Sequence, residues 1–163
     1  MAPQKRSAGL LLYRRRAAVL EVFLVHPGGP FWAKKDLGAW SIPKGEIEGK
    51  EEPLASAQRE FQEETGASPG GPFEPLKPVT QRGGKVVLCW AVEGDLDPDA
   101  IRSNTFQLEW PPGSRRIQEF PEVDRGSFFG LEEARTKINT AQVAFLEELL
   151  ARLTPEGISG RTE

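Results

Sequence analysis

The chain has 163 residues, 38% of them hydrophobic and 28% charged, with a net charge of −3. That balance fits one folded domain with a sizeable core and excludes a disordered chain. The small net charge supplies no overall field to gather nucleic acid, and no apolar run reaches the roughly eighteen residues of a membrane helix.

In chain order, residues 7–13 and 20–26 are apolar runs separated by the basic stretch Arg14, Arg15 and Arg16, which predicts a β-hairpin. Pro27-Gly28-Gly29-Pro30 ends the second strand. Residues 31–39 read as a loop, residues 40–42 as a short strand closed by Pro43, and residues 45–50 as a polar loop. A helix is expected from about residue 52. Pro53 suits its first turn, Glu51 and Glu52 suit its positive end, and Gly66 is a natural stop. Leu54, Ala57 and Phe61 recur at helical spacing and mark its core face. Residues 67–78 are rich in Gly and Pro and read as loop. Residues 79–81 and 85–93 are strands joined across Gly83-Gly84, with Cys89, the only cysteine, as a buried apolar residue. A lone cysteine excludes an intrachain disulfide and suits a reducing compartment. The N-terminal apolar stretch is too short for a signal peptide.

Residues 105–110 and 116–120 are further strand candidates, and Phe128 and Phe129 bring aromatics toward the core. Residues 131–138 form a short helix. Residues 140–153 form a longer one, with Val143, Leu146, Leu149, Leu150 and Leu153 on its apolar side. The pattern predicts a single domain over residues 1–153, followed by a frayed tail over 154–163. Strands on both sides of a central helix, with helices at the end, predict an α/β sandwich with a mixed sheet.

The chemistry concentrates in the central helix. Glu60, Glu63 and Glu64 fall on one helical face, where like charges repel. A hard divalent cation such as Mg²⁺ would reverse that repulsion, although an acidic helix face is also commonly just a solvated one. No Gly-x4-Gly-Lys-Ser/Thr loop and no Gly-x-Gly-x-x-Gly turn is present. His26 is the only histidine, which excludes a zinc site of several imidazoles; it reads as a structural or loop residue.

With Gly45, Glu51, Arg59, Glu60, Phe61, Glu63, Glu64 and Gly66 at their observed spacing, residues 45–67 resemble the signature of the Nudix (MutT-like) hydrolases. Phe61 stands where Ile, Leu or Val is more usual, and Ala67 is smaller than the usual residue; neither touches the charged positions. The resemblance implies an α/β/α sandwich and a Mg²⁺-dependent enzyme, with Mn²⁺ as substitute. Such an enzyme cleaves a nucleoside diphosphate linked to a further group by water attack on phosphorus. It implies Glu60, Glu63 and Glu64 as metal ligands and catalytic residues, Glu60 also as candidate base, and the Gly45 carbonyl as a further ligand. Glu51 and Arg59 would brace the loop against the helix.

The approach Trp40-Ser41-Ile42-Pro43-Lys44-Gly45 is similar to that of Nudix members acting on dinucleoside polyphosphates. Lys44 would meet phosphate oxygens. Trp40 and Trp32, with Phe31 and Trp90 as further candidates, could stack a base. Glu119 and Glu122 are candidates for a base outside the helix. Nucleoside triphosphates, nucleotide sugars and inositol pyrophosphates remain alternative substrates, and a non-catalytic nucleotide sensor is the alternative of another class. The expected partner is a small nucleotide or polyphosphate, with no membrane and no dedicated nucleic acid. The expected location is cytoplasmic, and the expected state is a monomer or homodimer.

Overall fold

The computed structural model describes residues 5–154. Residues 155–163 of the expected tail lie outside the described residues. Strand β1 (Arg6–Arg16) turns into β2 (Val19–Pro27) through Ala17 and Ala18, whose φ values are 52° and 67°. Positive φ at both positions is the type I′ turn, whose twist matches that of the flanking strands. The three arginines therefore belong to β1, pairing Arg16 with Val19 and Arg14 with Glu21.

Next come β3 (Lys44–Glu46), α1 (Pro53–Thr65), β4 (Glu74–Thr80) and β5 (Val86–Glu93). They are followed by β6 (Thr105–Glu109), β7 (Ile117–Pro121) and β8 (Val123–Gly130), and then by α2 (Leu131–Lys137) and α3 (Val143–Leu153). The main sheet runs β4-β5-β1-β2-β8, with β3 on β1. Among the described strands of this sheet the β1–β5 pairing alone is parallel, so the sheet is mixed. Strands β6 and β7 form a separate antiparallel ribbon.

Successive residues of a strand face opposite sides. In β1, Leu10 and Leu12 join the cluster with Ala57 and Phe61 of α1, while Leu11 joins Ala134, Phe145, Leu146 and Leu149 of α2 and α3. Helices thus cover both faces, which is why β1 reads as a continuous apolar run rather than an alternating one. The expected α/β/α sandwich is what forms.

Four local expectations are corrected. Residues 44–46, read as the edge of a loop, form β3 against Ser7, Ala8 and Gly9 of β1. Gly9 allows the chain to pass this close, since a Cβ there would lie 2.4 Å from the Pro43 carbonyl oxygen. Residues 40–42 form only two isolated bridges, Val25 with Ser41 and Trp40 with Ile138. Strand β4 begins at Glu74, inside the expected loop; Pro75 and Pro78 disguised it, and it is an edge strand with a register shift, where proline is tolerated. In α3 the buried residues are Phe145, Leu146 and Leu149, while Leu150 is 37% exposed.

Candidate active site

Helix α1 begins with proline and ends on Gly66 at φ 82°, the left-handed cap. Phe61 and Ala57 are fully buried against the sheet, which turns Glu60, Glu63 and Glu64 toward β3 and the ribbon base. Arg59 holds the polar side together. Its Nε and Nη2 donate to the two Glu51 carboxylate oxygens at 2.8 and 3.0 Å. Its Nη1 lies 3.0 Å from Glu60 and 3.1 Å from Glu63. The two-pronged hydrogen bond from Arg59 lowers the Glu51 carboxyl to about 2, and the same bond raises the Arg59 guanidinium. The expected pairing of Glu51 with Arg59 is present, and Arg59 also reaches Glu60 and Glu63.

Beside this cluster the Lys44 backbone N–H donates to Glu64 Oε1 at 3.3 Å. Glu64 is pushed up to about 8 by burial first, then by the Glu60 and Glu122 carboxylates. Glu60 is raised by burial, against the pull of Arg59. Burial also raises Glu122, helped by Glu63, and lowers the Lys44 ammonium. A Cβ on Gly45 would come within 2.0 Å of the Glu60 carboxyl carbon, so any larger residue here would push the Glu60 carboxylate from its present place.

Glu122 arrives from 58 residues beyond Glu64 through a chain of backbone bonds. Asn104 N–H donates to the Glu63 carbonyl, and Glu122 N–H donates to the Asn104 carbonyl, both at 2.8 Å. The Glu122 carbonyl in turn accepts from Gly28 N–H at 2.9 Å. The ribbon base thereby satisfies one of the carbonyls that the end of α1 leaves unpaired.

Glu64, Glu122, Lys44 and Trp32 all line one cavity of about 290 Å³. Trp40 and Glu119 belong neither to this lining nor to the carboxylate cluster. Trp40 is 4% exposed and stands edge-on to Phe129 and His26, its indole N–H donating to Asp36 at 2.8 Å. It is a core residue under the approach segment, so its assignment to substrate binding is corrected. Glu119 lies exposed on the ribbon and accepts from the Thr105 hydroxyl at 2.6 Å, away from the cavity lining. Trp90 packs into the core on the α1 side, and Phe31 stands edge-on to Trp110. His26 is fully buried, its ring nitrogens 2.9 Å from Asp124 and 2.6 Å from the Lys35 carbonyl.

Sequence reasoning missed Gln81 and Gln142, which also line the cavity. Gln142 carried a signal: it lies four and seven residues ahead of Leu146 and Leu149, a polar residue on an apolar face. Gln81, in a hairpin turn, carried none.

Among the described residues no three acidic, histidine or cysteine side chains converge tightly enough to hold a metal as they stand. Arg59 sits between Glu60 and Glu63 instead. The donor set still fits a hard divalent cation. The donors are all oxygens, and Glu64, raised by burial first and then by the Glu60 and Glu122 carboxylates, is a group whose charged form such a cation would favour.

A sequence model of the NUDIX domain matches residues 3–149. The chain belongs to the Nudix hydrolase family. No curated protein matches it significantly. Among solved structures, a C. elegans Ap4A hydrolase binary complex is 22% identical with a TM-score of 0.65, covering 91% of this chain and 97% of that one. The NUDIX domain of Shewanella oneidensis NrtR, complexed with ADP ribose, is 18% identical with a TM-score of 0.67, covering 94% and 91%. A mutT/nudix family protein from Listeria innocua is 16% identical with a TM-score of 0.62, covering 94% and 96%. At these identities the likeness concerns the fold. The family itself makes this Nudix chain a pyrophosphohydrolase.

Proposed function

We propose that the chain hydrolyses dinucleoside polyphosphates by water attack on phosphorus, with Mg²⁺ as cofactor and Mn²⁺ as substitute. The observation that carries the reading is the meeting of Glu64, Glu122, Lys44 and Trp32 on one cavity, with Glu60 near Glu64 and Glu63 near Glu122. The C. elegans Ap4A hydrolase among the fold neighbours points the same way.

Glu60, Glu63, Glu64 and the Gly45 carbonyl would hold the metal. When bound, it neutralises phosphate charge and lowers the pKa of its water. The remaining work falls to the chain's own groups. Lys44 sets a cation beside the phosphate oxygens. Trp32 offers a π-face to a base. Glu122, kept basic-shifted by burial and by Glu63, accepts a proton from the attacking water alongside Glu60, the other candidate base. Glu51 fixes Arg59, and Arg59 keeps Glu60 and Glu63 from swinging into solvent. The reading places the enzyme in the cytoplasm as a monomer or homodimer. Among the described residues no helix is long and apolar enough to cross a membrane.

The test is a panel of dinucleoside polyphosphates, nucleoside triphosphates, nucleotide sugars and inositol pyrophosphates with Mg²⁺ and product analysis. Dinucleoside polyphosphates should show the highest kcat/KM, and a clear preference for another class would replace this reading. The ADP-ribose complex of the NrtR NUDIX domain favours one rival, a nucleotide sensor. Thermal stabilisation by nucleotides with no product from any substrate would select it.

A further inference from the structure

Part of the cavity wall is built from side-chain amides, and one backbone donor sets their orientation. Gln142 is fully buried just ahead of α3. The Ile42 backbone N–H donates to its Oε1 at 3.0 Å. A backbone N–H can only donate, so the Gln142 oxygen faces Ile42 and its NH₂ faces away. That NH₂ donates to Ser41 Oγ at 3.0 Å and to Gln81 Oε1 at 2.9 Å. Ser41 Oγ is free to accept because its own proton goes to the Ile42 carbonyl at 2.7 Å.

The Gln81 amide is therefore turned as well, its oxygen toward Gln142 and its NH₂ away. Reversing it would set two NH₂ groups against each other and leave a buried donor unpaired. The Gln81 backbone is fixed in the β4–β5 hairpin, donating to the Lys85 carbonyl at 2.8 Å and accepting from Gly84 N–H at 2.9 Å. Gln81 lines the cavity, and its NH₂ has no partner among the described residues. The fold thus holds the Gln81 amide on the cavity wall with its oxygen engaged by Gln142 and its NH₂ left to donate.

Resting on the nucleotide reading above, we propose that Gln81 is a specificity residue that reads the nucleobase and favours an oxo over an amino group at purine C6. The O6 of a guanine accepts from this NH₂. The N6 amino group of an adenine is itself a donor and leaves both groups unpaired. A site built to hydrogen-bond one group rejects the analogue that cannot, because its own polar atom then goes unsatisfied. Trp32 on the same cavity supplies a stacking face for the ring, while Lys44 and the carboxylates serve the phosphates.

Calorimetric titration of GMP, IMP and AMP in Mg²⁺ reads base preference without turnover. It is therefore independent of whether dinucleoside polyphosphates are cleaved. The wild type should bind GMP and IMP about tenfold more tightly than AMP; IMP isolates the C6 oxo group, since it lacks the 2-amino group of GMP. Gln81→Leu should bring the three within about twofold, and Gln81→Glu, which presents an acceptor, should favour AMP. Equal binding of the three by the wild type, no binding of any, or an unchanged preference in Gln81→Leu would overturn the proposal. Equal weakening of all three in Gln81→Leu would overturn it too, since the amide would then contact sugar or phosphate. Failure of the hydrolysis panel with the preference intact would sink the dinucleoside reading alone.

Discussion

Replacing Glu64 with Gln should stabilise the metal-free protein while removing turnover. The Glu64 carboxyl has an ordinary value of 4.5 and titrates at about 8 in the folded chain. Between those values the folded chain keeps a proton that the unfolded chain has released, so stability falls as pH rises across the window. At about 1.36 kcal/mol per pH unit, the ionised group costs up to roughly 3 kcal/mol at pH 7. Water in the open cavity screens the charges, which leaves about 1–2 kcal/mol. For a domain of this size that corresponds to a melting point about 2–8 °C higher for Glu64→Gln. The assay is thermal unfolding of both proteins in chelator at pH 7 and again at pH 4.5. The gap should be present at pH 7 and closed at pH 4.5, where Glu64 is protonated in the folded state. Added Mg²⁺ should then raise the wild type more than the variant. A variant that melts no higher than the wild type at pH 7, or a gap unchanged at pH 4.5, would refute the reasoning.

Gly45→Ala should fold yet lose at least about tenfold in kcat/KM, since its methyl displaces Glu60; normal kinetics would show that the close approach is dispensable. Trp32→Ala should raise KM several-fold with little change in melting point, whereas Trp40→Ala should cost about 3–5 kcal/mol of stability as a core truncation. Equal effects of these two variants on KM would return Trp40 to the binding surface. Glu122→Gln should cut kcat by about 10²-fold while Glu119→Gln leaves it unchanged; rate assays near pH 8 distinguish them. Because Arg59 lowers Glu51 to about 2, the pair's contribution to stability is complete above about pH 4.5 and is lost as pH falls toward 2. Acid unfolding of Glu51→Gln should therefore show a shallower loss across that range than the wild type.

Much of the architecture is legible in local pattern. The hairpin of β1 and β2, helix α1 with its proline start and glycine stop, and the carboxylate face all follow from spacing and cap chemistry. Strand β3 was not legible, because three residues with Lys, Gly and Glu carry no strand propensity; it forms because Gly9 lets the chain run against β1. Trp40 looked like a ligand contact because it precedes Lys44. Its place was decided by Phe129 and His26, which come from other strands.

The sequence by itself determined the carboxylate side of the site, since Glu60, Glu63 and Glu64 share one turn of one helix and need only helical geometry to meet. The tertiary structure alone decided the rest. Glu122 reaches the cluster through backbone bonds that link the ribbon base to the end of α1. Gln81 acquires its direction from Gln142, 61 residues away. Contacts across such separations depend on how the sheet and ribbon close, and no periodicity within a single segment encodes that closure.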